Sequence, residues 1–250
     1  MYDNPYEYDI ENADVVEDIT FWVEAAKRYK AKHILELACG TGRLTISLAK
    51  AGLSVTGLDI NEGMLERCSL KLPKEDEDTQ KNLSSHRGDM RDFDFGEAFD
   101  LIFIGFNSAN HLVSIEDQLR AFKCVNKHLV RGGRFMLDVY SPNLSLLAAA
   151  MDSQAELEND HHVLDLRARF TRHKSRKYSP EEQLWSMLEK TSSKAREEET
   201  NTNDVHVYFP RELRLLYMCS GFEVEDIYGD YSFGEFKSSS PRMVFVGRKV

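Results

Sequence analysis

The stretch HILELACGTGRLTISLAKAG at residues 33–52 decides the fold of this chain. The apolar run His33–Ala38 predicts a β-strand, the glycines behind it predict a tight turn, and a helical pattern then carries Leu44 and Leu48 inward. Gly52 ends that helix, because glycine adopts the left-handed conformation at little steric cost. A strand, a glycine turn and a helix in this order predict the first unit of a parallel α/β sheet.

Length, charge and cysteine spacing exclude several classes of protein. The 250 residues fit one large α/β domain, or a smaller domain with an elaboration. A net charge of −10 argues against a general binder of nucleic acid or of anionic membranes. No apolar run approaches the roughly 18 residues of a membrane span, and the acidic, aromatic start is unlike a signal peptide. The four cysteines form no C-x-x-C pair, so we expect a cytoplasmic protein without structural zinc or a disulfide scaffold.

Strands and helices alternate through the first half of the chain. The next strands are predicted at SVTGLD (54–59), LSSHRGDM (83–90), FDLIFIGF (99–106) and RFMLDVY (134–140). One helix is predicted near Glu62–Leu70. Another follows a cap at Ser114, with a buried stripe beginning at Ile115 and an end at Gly132–Gly133. The charged segment 71–82 predicts a surface loop.

The pattern changes after the fifth predicted strand. Residues 155–190 alternate as antiparallel strands do, and the polar segment 190–204 predicts a mobile hairpin or loop. A helix from Pro210 and the strands FEVEDIYG (222–229) and RMVFVGRK (242–249) follow. The predicted fold class is α/β, a Rossmann-like, doubly wound, mostly parallel seven-stranded sheet with an antiparallel β insert after strand five. The predicted segments are an N-terminal lid with a docking helix, the core, the insert and the closing strands, at 1–30, 31–140, 141–207 and 208–250.

The glycine turn alone admits more than one ligand. Gly40 and Gly42 let the backbone approach a bound molecule closely, but Thr45 replaces the third glycine of a dinucleotide fingerprint. The lysine of a phosphate-binding loop is also missing. Asp59 closes the second strand about 20 residues after the turn, where a carboxylate can accept ribose hydroxyls. These residues leave open an adenosine ligand, a dinucleotide, or a turn that binds nothing.

Residues further along the chain narrow this choice. Together with Glu36 and the glycine turn, the sequences Gly88-Asp89-Met90 and Phe106-Asn107 resemble the motifs of class I S-adenosylmethionine-dependent methyltransferases. The resemblance covers residues 31–140 and the closing segment 209–231, and it is thin over the insert. It implies a methyl transfer reaction with S-adenosyl-L-methionine as the cofactor. That cofactor carries no phosphate, so the turn needs no third glycine.

The resemblance assigns the methionine end of the cofactor to the glycine turn. It implies that carbonyl groups around Ala38 and Gly40 meet the cofactor's amino group. Gly42 then leaves room for the methionine chain, and Glu36 belongs to the same set. Arg43 has two interpretations, as a partner of the methionine carboxylate or as an exposed arginine at a helix start, and we favour the second.

The same resemblance assigns the adenosine end to the strands that follow. Asp59 is expected to hold the ribose hydroxyls, with Ile60 and Met64 near the adenine. Asp89 is expected to accept from the adenine amino group while the Met90 backbone N–H donates to a ring nitrogen.

The residues on the acceptor side follow strand four. Phe106 and Asn107 are expected to border the sulfonium and the acceptor. His111, in FNSANHL, resembles a histidine in the active site of sugar N-methyltransferases from aminosugar pathways, and it is a candidate general base. Its alternative is a structural cap of a loop or helix. Tyr8, in YEYD, is a candidate lid residue, or it packs the N-terminal segment against the core.

The expected reaction is methyl transfer to a nitrogen or oxygen of a small-molecule acceptor, with nitrogen favoured. We expect no metal, because strands four and five are not followed by the clustered acids of a site that would activate a hydroxyl. The alternatives are an NAD(P)-dependent oxidoreductase and a non-catalytic binding module with the same fold. The insert is expected to cap the acceptor side. The sequence predicts neither the identity of the acceptor nor an oligomeric state.

Overall fold

The strands separate into two sheets in the computed structural model, which describes residues 4–151, 164–165, 168–193 and 196–250. In chain order they are β1 (His33–Leu37), β2 (Ser54–Asp59), β3 (Leu83–Arg87), β4 (Phe99–Ile104), β5 (Leu129–Tyr140), β6 (Leu164–Asp165), β7 (Ala168–Ser179), β8 (Leu184–Ser193), β9 (Arg196–His206), β10 (Phe222–Tyr228) and β11 (Arg242–Lys249). The seven-stranded sheet lies in the larger of two units, which contains the described residues up to Ala109, Ser114–Ser141 and Pro210–Val250. The four-stranded sheet lies in the smaller unit, which contains Asn110–Val113 and the described residues of Pro142–Phe209.

The larger sheet has the strand order β10–β11–β5–β4–β1–β2–β3. The adjacent strands β3, β2, β1, β4 and β5 pair in parallel in that spatial order, whereas β11 runs antiparallel to both β5 and β10. This arrangement confirms the predicted Rossmann-like, mostly parallel seven-stranded sheet. The strand order reverses between β1 and β4, and in open α/β sheets the carboxyl ends of the strands at such a point border the ligand crevice.

The helices begin with two short N-terminal elements. In chain order they are α1 (Pro5–Glu11), α2 (Glu17–Arg28), α3 (Arg43–Lys50), α4 (Glu62–Lys71), α5 (Glu77–Lys81), α6 (Ile115–His128), α7 (Leu144–Met151) and α8 (Pro210–Cys219). α2 is the docking helix expected near the N-terminus, and it buries Phe21 and Trp22 completely or nearly so. The Trp22 ring stacks on Phe103 of β4 with 4.2 Å between centroids, which fixes the helix to the middle of the sheet.

The segment 71–82 lies at the surface as predicted, with Thr79 as its one buried residue, but the loop predicted for it is wrong. This segment forms a short 3-10 turn at Leu72–Lys74 and then α5. α5 begins behind Asp76, whose carboxylate accepts from the backbone N–H of Thr79 at 2.9 Å. Thr79 is buried, so one polar residue of this charged segment faces the protein interior.

The helix predicted behind Ser114 is present, but its details differ. The Ser114 hydroxyl accepts from the Asp117 backbone N–H at 3.1 Å, which confirms the predicted cap. Ile115 is 65% exposed and does not start the buried stripe. α6 ends at His128, so Gly132–Gly133 lie within β5 and do not end the helix as predicted.

The smaller unit contains α7 and the antiparallel strands of the insert. β7 pairs with β8 and β8 pairs with β9, which agrees with the antiparallel pattern expected for 155–190. Of the two alternatives predicted for 190–204, the hairpin is present, because β8 extends to Ser193 and pairs antiparallel with β9 at Arg196–His206. The pairing of these strands satisfies their backbone groups although the segment is polar. Residues 152–163 lie outside the described part of the chain.

Candidate functional site

Left-handed backbone clusters at the carboxyl ends of β1 and β4. Ala38 has a φ of 59°, Phe106 of 51° and Asn107 of 62°, and Gly40 and Gly42 in the turn between β1 and α3 also have positive φ. A non-glycine residue in this region costs free energy, and such residues concentrate where a ligand is held. Because β1 and β4 are neighbours at the point where the strand order reverses, this cluster defines the candidate site.

α4 packs against the glycine turn and decides which residues fit there. A Cβ atom at Gly42 would collide with the Cys68 sulfur, so only glycine is accommodated. The Met64 side chain is buried, and its Cε lies 3.7 Å from the position that a Cβ of Gly40 would take. Met64 is therefore beside the turn, and its place near the adenine stays a prediction.

Asp59 at the end of β2 is tied to the glycine turn. Its carboxylate accepts from the Gly40 backbone N–H at 2.7 Å and from the Asn61 backbone N–H at 2.8 Å. The side chain is nearly buried, whereas Ile60 behind it is 49% exposed. The role of Asp59 as the acceptor of the ribose hydroxyls stays a prediction.

Asp89, which follows β3, is held by an arginine that the sequence analysis did not single out. Arg91 donates to the Asp89 carboxylate from Nε at 2.9 Å and from Nη2 at 2.5 Å, and to Asp117 of α6 at 2.8 Å. Hydrogen bonds from Arg91 are the main reason that the pKa of Asp89 lies below its usual value. Asp89 thus stays ionised and only accepts hydrogen bonds, which suits an adenine amino group. Met90 beside it is half-buried.

Arg43 is not the exposed helix-start arginine that the sequence favoured. Its guanidinium donates to both carboxylate oxygens of Asp18 at 2.8 and 2.5 Å and to the Val15 carbonyl at 2.9 Å, and its side chain is 14% exposed. It also lies 4.6 Å from the centroid of the Phe106 ring. Burial lowers the pKa of Arg43, but hydrogen bonds to Asp18 and Tyr8 raise it above the usual value. Arg43 therefore connects α2 with the turns that follow β1 and β4.

Glu36 is a buried carboxyl group directly beneath the start of the turn. The Thr45 hydroxyl donates to Glu36 Oε2 at 2.5 Å, and Glu36 is 3% exposed. Burial raises the pKa of Glu36 to about 8, against the opposing effects of the Thr45 hydrogen bond and the Arg43 charge. Thr45 stands where a dinucleotide fingerprint has its third glycine, so here that position serves to hold an acid.

The N-terminal helix α1 is attached to the turn through Asp9. The Asp9 carboxylate accepts from the Thr41 hydroxyl at 2.6 Å, from Arg67 at 2.7 Å and from Lys71 at 3.0 Å. Burial alone would raise the pKa of Asp9, but these hydrogen bonds hold it below its usual value. α1 buries no residue of its own, so these ionic contacts carry much of its attachment. Tyr8 of this helix is half-buried.

Replacing Asp9 by asparagine is expected to loosen α1. The change keeps the size of the side chain and removes the charge that Arg67 and Lys71 contact, and a hydrogen bond between charged groups contributes about 1.5–3 kcal/mol. Amide hydrogen exchange over residues 5–11 should accelerate by about tenfold or more, whereas Asp14→Asn, which neutralises an exposed carboxylate just beyond the helix, should leave it nearly unchanged. Equal exchange in Asp9→Asn and in the unaltered protein would show that α1 is held by other contacts.

A buried group behind the turn after β4 was missed by the sequence analysis. The Asp138 carboxylate contacts Arg242 and Tyr231 and also accepts from the Phe106 backbone N–H at 3.1 Å. Arg242 donates to Asn107 at 3.2 Å. The only sequence signal was an acidic residue inside the apolar strand RFMLDVY.

His111 belongs to the smaller unit and ends a 3-10 turn at Ser108–His111. Its side chain is exposed. The neighbouring Asn110 donates from Nδ2 to the His206 carbonyl at 2.6 Å, which ties this segment to the end of β9. The assignment of His111 as a base or a cap stays a prediction.

Among the described residues there is no group of three or more His, Cys, Asp or Glu side chains that could hold a metal ion. In the same part of the chain, no helix is long and apolar enough to cross a membrane.

Part of the chain matches a known protein family. Residues 34–133 match the family described as a methyltransferase domain. A Bacillus subtilis (strain 168) protein named as methyltransferase YqeM is 36% identical over 123 residues, which are 49% of this chain and 47% of that protein. The dTDP-3-amino-3,4,6-trideoxy-alpha-D-glucopyranose N,N-dimethyltransferase of Streptomyces venezuelae is 28% identical over 142 residues, or 50% of this chain and 56% of that enzyme. The chain spans about half the length of the curated relatives it matches.

A solved structure extends the likeness of the fold to nearly the whole chain. The CcbJ methyltransferase from Streptomyces caelestis superposes with a TM-score of 0.75 and 22% identity, covering 94% of this chain and 95% of that one. Residues 34–133 therefore carry a methyltransferase domain, which agrees with the resemblance to class I S-adenosylmethionine-dependent methyltransferases. CalS10, an amino pentose methyltransferase from Micromonospora echinaspora solved with S-adenosylmethionine bound, shares the fold with a TM-score of 0.65 and 19% identity, covering 100% of this chain and 98% of that one. The family match does not favour the NAD(P)-dependent alternative.

Proposed function

We propose that this chain transfers a methyl group from S-adenosyl-L-methionine to an amine nitrogen of a small-molecule acceptor. The observation that carries the proposal is the pair of fixed carboxylates, Asp59 and Asp89, beside a glycine turn whose backbone is open to close approach. These acceptors suit ribose hydroxyls and an adenine amino group, and the turn offers no feature that requires a phosphate. The choice of nitrogen is supported by the aminosugar N,N-dimethyltransferase to which the chain is similar.

The turn after β1 and the end of β2 would hold most of the cofactor. The carbonyls of Ala38 and Gly40 would accept from its amino group, and Gly42, whose missing side chain accommodates Cys68, would lie beside its methionine chain. Asp59 would accept from the ribose hydroxyls, with Ile60 and Met64 beside the adenine. When bound, the cofactor supplies an electrophilic methyl group on a sulfonium.

Residues after β3 and β4 would complete the site. Asp89 and the Met90 backbone N–H would read the edge of the adenine, and Phe106 and Asn107 would border the reacting atoms. The reaction is an in-line displacement, so alignment of the acceptor and exclusion of water account for most of the acceleration. An amine acceptor must also lose a proton, for which His111 is the proposed base and Tyr8 the proposed lid residue.

Binding of S-adenosylhomocysteine is the first test of this proposal. Calorimetry is expected to show micromolar affinity for it and none for NADH. Asp59→Ala should weaken that affinity by about 1–3 kcal/mol, because the ribose hydroxyls lose a charged acceptor. Asp14→Ala, which removes an exposed carboxylate, serves as the control. No binding at millimolar S-adenosylhomocysteine would refute the proposal.

Labelled cofactor and a panel of aminosugars, simple amines, amino acids and phenols would then define the acceptor. We expect label in an amine product. Transfer to phenols alone would replace nitrogen by oxygen as the acceptor atom. Binding without transfer to any acceptor would favour a non-catalytic module.

A further inference from the structure

Asp138 is a buried carboxylate in a strand that is otherwise apolar. It lies near the end of β5 and has no exposed surface. Its Oδ1 accepts from Arg242 Nε at 2.8 Å, and its Oδ2 accepts from Arg242 Nη2 at 3.0 Å and from the Tyr231 hydroxyl at 2.7 Å. Removing an ion pair from water carries a large desolvation penalty, so this pair is weak evidence for stabilisation of the fold.

The same group contacts the turn after β4 at several points. The Asp138 carboxylate accepts from the Phe106 backbone N–H at 3.1 Å, and the Asp138 backbone carbonyl accepts from the Asn107 N–H at 3.1 Å. Both turn residues have left-handed backbone, which neither adopts readily. The hydrogen bonds from these two N–H groups therefore hold a strained turn in place.

Arg242 also determines how the Asn107 side chain is turned. Its Nη2 lies 3.2 Å from Asn107 Oδ1. A guanidinium has donors only, so the amide must present its oxygen to Arg242 and its NH2 group elsewhere. The orientation of Asn107 is thus set by a residue of β11.

We propose that Asp138, Arg242 and Tyr231 are positioning residues that fix the turn after β4, and with it the Asn107 amide, for methyl transfer. This inference rests on the proposed function, which places Phe106 and Asn107 beside the reacting atoms. The three residues act through the turn and need not contact cofactor or acceptor. A loosened turn would misplace the acceptor while leaving the cofactor bound at the other strands.

Tyr231→Phe and Arg242→Lys carry the test, since Asp138→Asn would leave a buried guanidinium without its counter-charge and destabilise the fold. In both variants we expect kcat to fall about tenfold and the affinity for S-adenosylhomocysteine to stay within about twofold. The backbone amide protons of Phe106 and Asn107 should exchange faster with solvent, as measured by nuclear magnetic resonance. Tyr228→Phe is the control, because its hydroxyl also donates to a carboxylate, Asp226, at 3.1 Å. It should change neither kcat nor the exchange of the two amides.

Unchanged kcat and unchanged exchange in folded Tyr231→Phe and Arg242→Lys would overturn the inference. A fall in kcat that matches an equal fall in cofactor affinity, or that Tyr228→Phe reproduces, would make the three residues merely structural and overturn it too. If the unaltered protein transfers no methyl group to any acceptor, the proposed function fails. The exchange of the two amides then still decides whether this group fixes the turn.

Discussion

Replacing His111 by asparagine is expected to slow methyl transfer by about 10²–10⁴-fold, the usual contribution of a positioned general base. Asparagine keeps a polar side chain of similar reach but cannot take a proton at neutral pH. S-adenosylhomocysteine affinity should stay within about twofold, because the cofactor is assigned to residues of the larger unit and His111 belongs to the smaller one. Steady-state kinetics and calorimetry on the same preparation give both quantities.

The control for this experiment is His33→Asn. His33 is also exposed, and it lies at the amino end of β1, away from the carboxyl ends that form the candidate site. The kcat of His33→Asn should equal that of the unaltered protein. Parallel losses of cofactor affinity and of kcat in His111→Asn would make His111 structural, and full activity would move the acceptor elsewhere, with Tyr8 the next residue to replace.

Replacing Glu36 by glutamine is expected to change how stability depends on pH. Burial raises the pKa of Glu36 to about 8 from an ordinary value of 4.5. Between these values the folded protein binds a proton that the unfolded chain does not. The contribution of Glu36 to the free energy of unfolding is therefore fully present below pH 4.5 and is lost as the pH rises toward 8. Glutamine resembles the protonated acid and can still accept from the Thr45 hydroxyl, so the variant should lack this loss.

Chemical denaturation at pH 5 and pH 8.5 measures this effect. The free energy of unfolding of Glu36→Gln minus that of the unaltered protein should increase by about 3–4 kcal/mol between the two pH values. Glu66→Gln removes one exposed carboxylate from α4 and serves as the matched control. The assignment fails if Glu36→Gln and Glu66→Gln show the same dependence on pH.

The main sheet was predictable because its strands are short apolar runs bounded by turn residues. FDLIFIGF is the clearest case, and β4 indeed spans Phe99–Ile104. The helix at Glu77–Lys81 was missed because its sequence has no apolar period, and a cap at Asp76 is what starts it. The strand at Arg196–His206 was predicted only as part of a hairpin or loop, because a polar sequence does not indicate the pairing with β8 that supplies its hydrogen bonds.

The candidate site likewise has residues that the local sequence predicts and contacts that it does not. The glycine turn, Asp59 and Asp89 lie at strand ends, where local sequence predicts their place. The contact of Asp138 with Arg242 depends on which strand adjoins β5 and in what register. Asp138 pairs with Val244, so Arg242 is a diagonal neighbour on an adjacent strand. Nothing within either segment alone carries that information.

The position of β11 between β5 and β10 has a consequence for the order in which the chain folds during synthesis. The ribosome completes β1 to β5, and the entire four-stranded insert, before residues 242–249 emerge. Until then β5 presents an open edge to other chains, and Asp138 lacks its counter-ion. The nascent protein therefore passes through a stage at which the glycine turn has been synthesised but the sheet still has an open edge at β5.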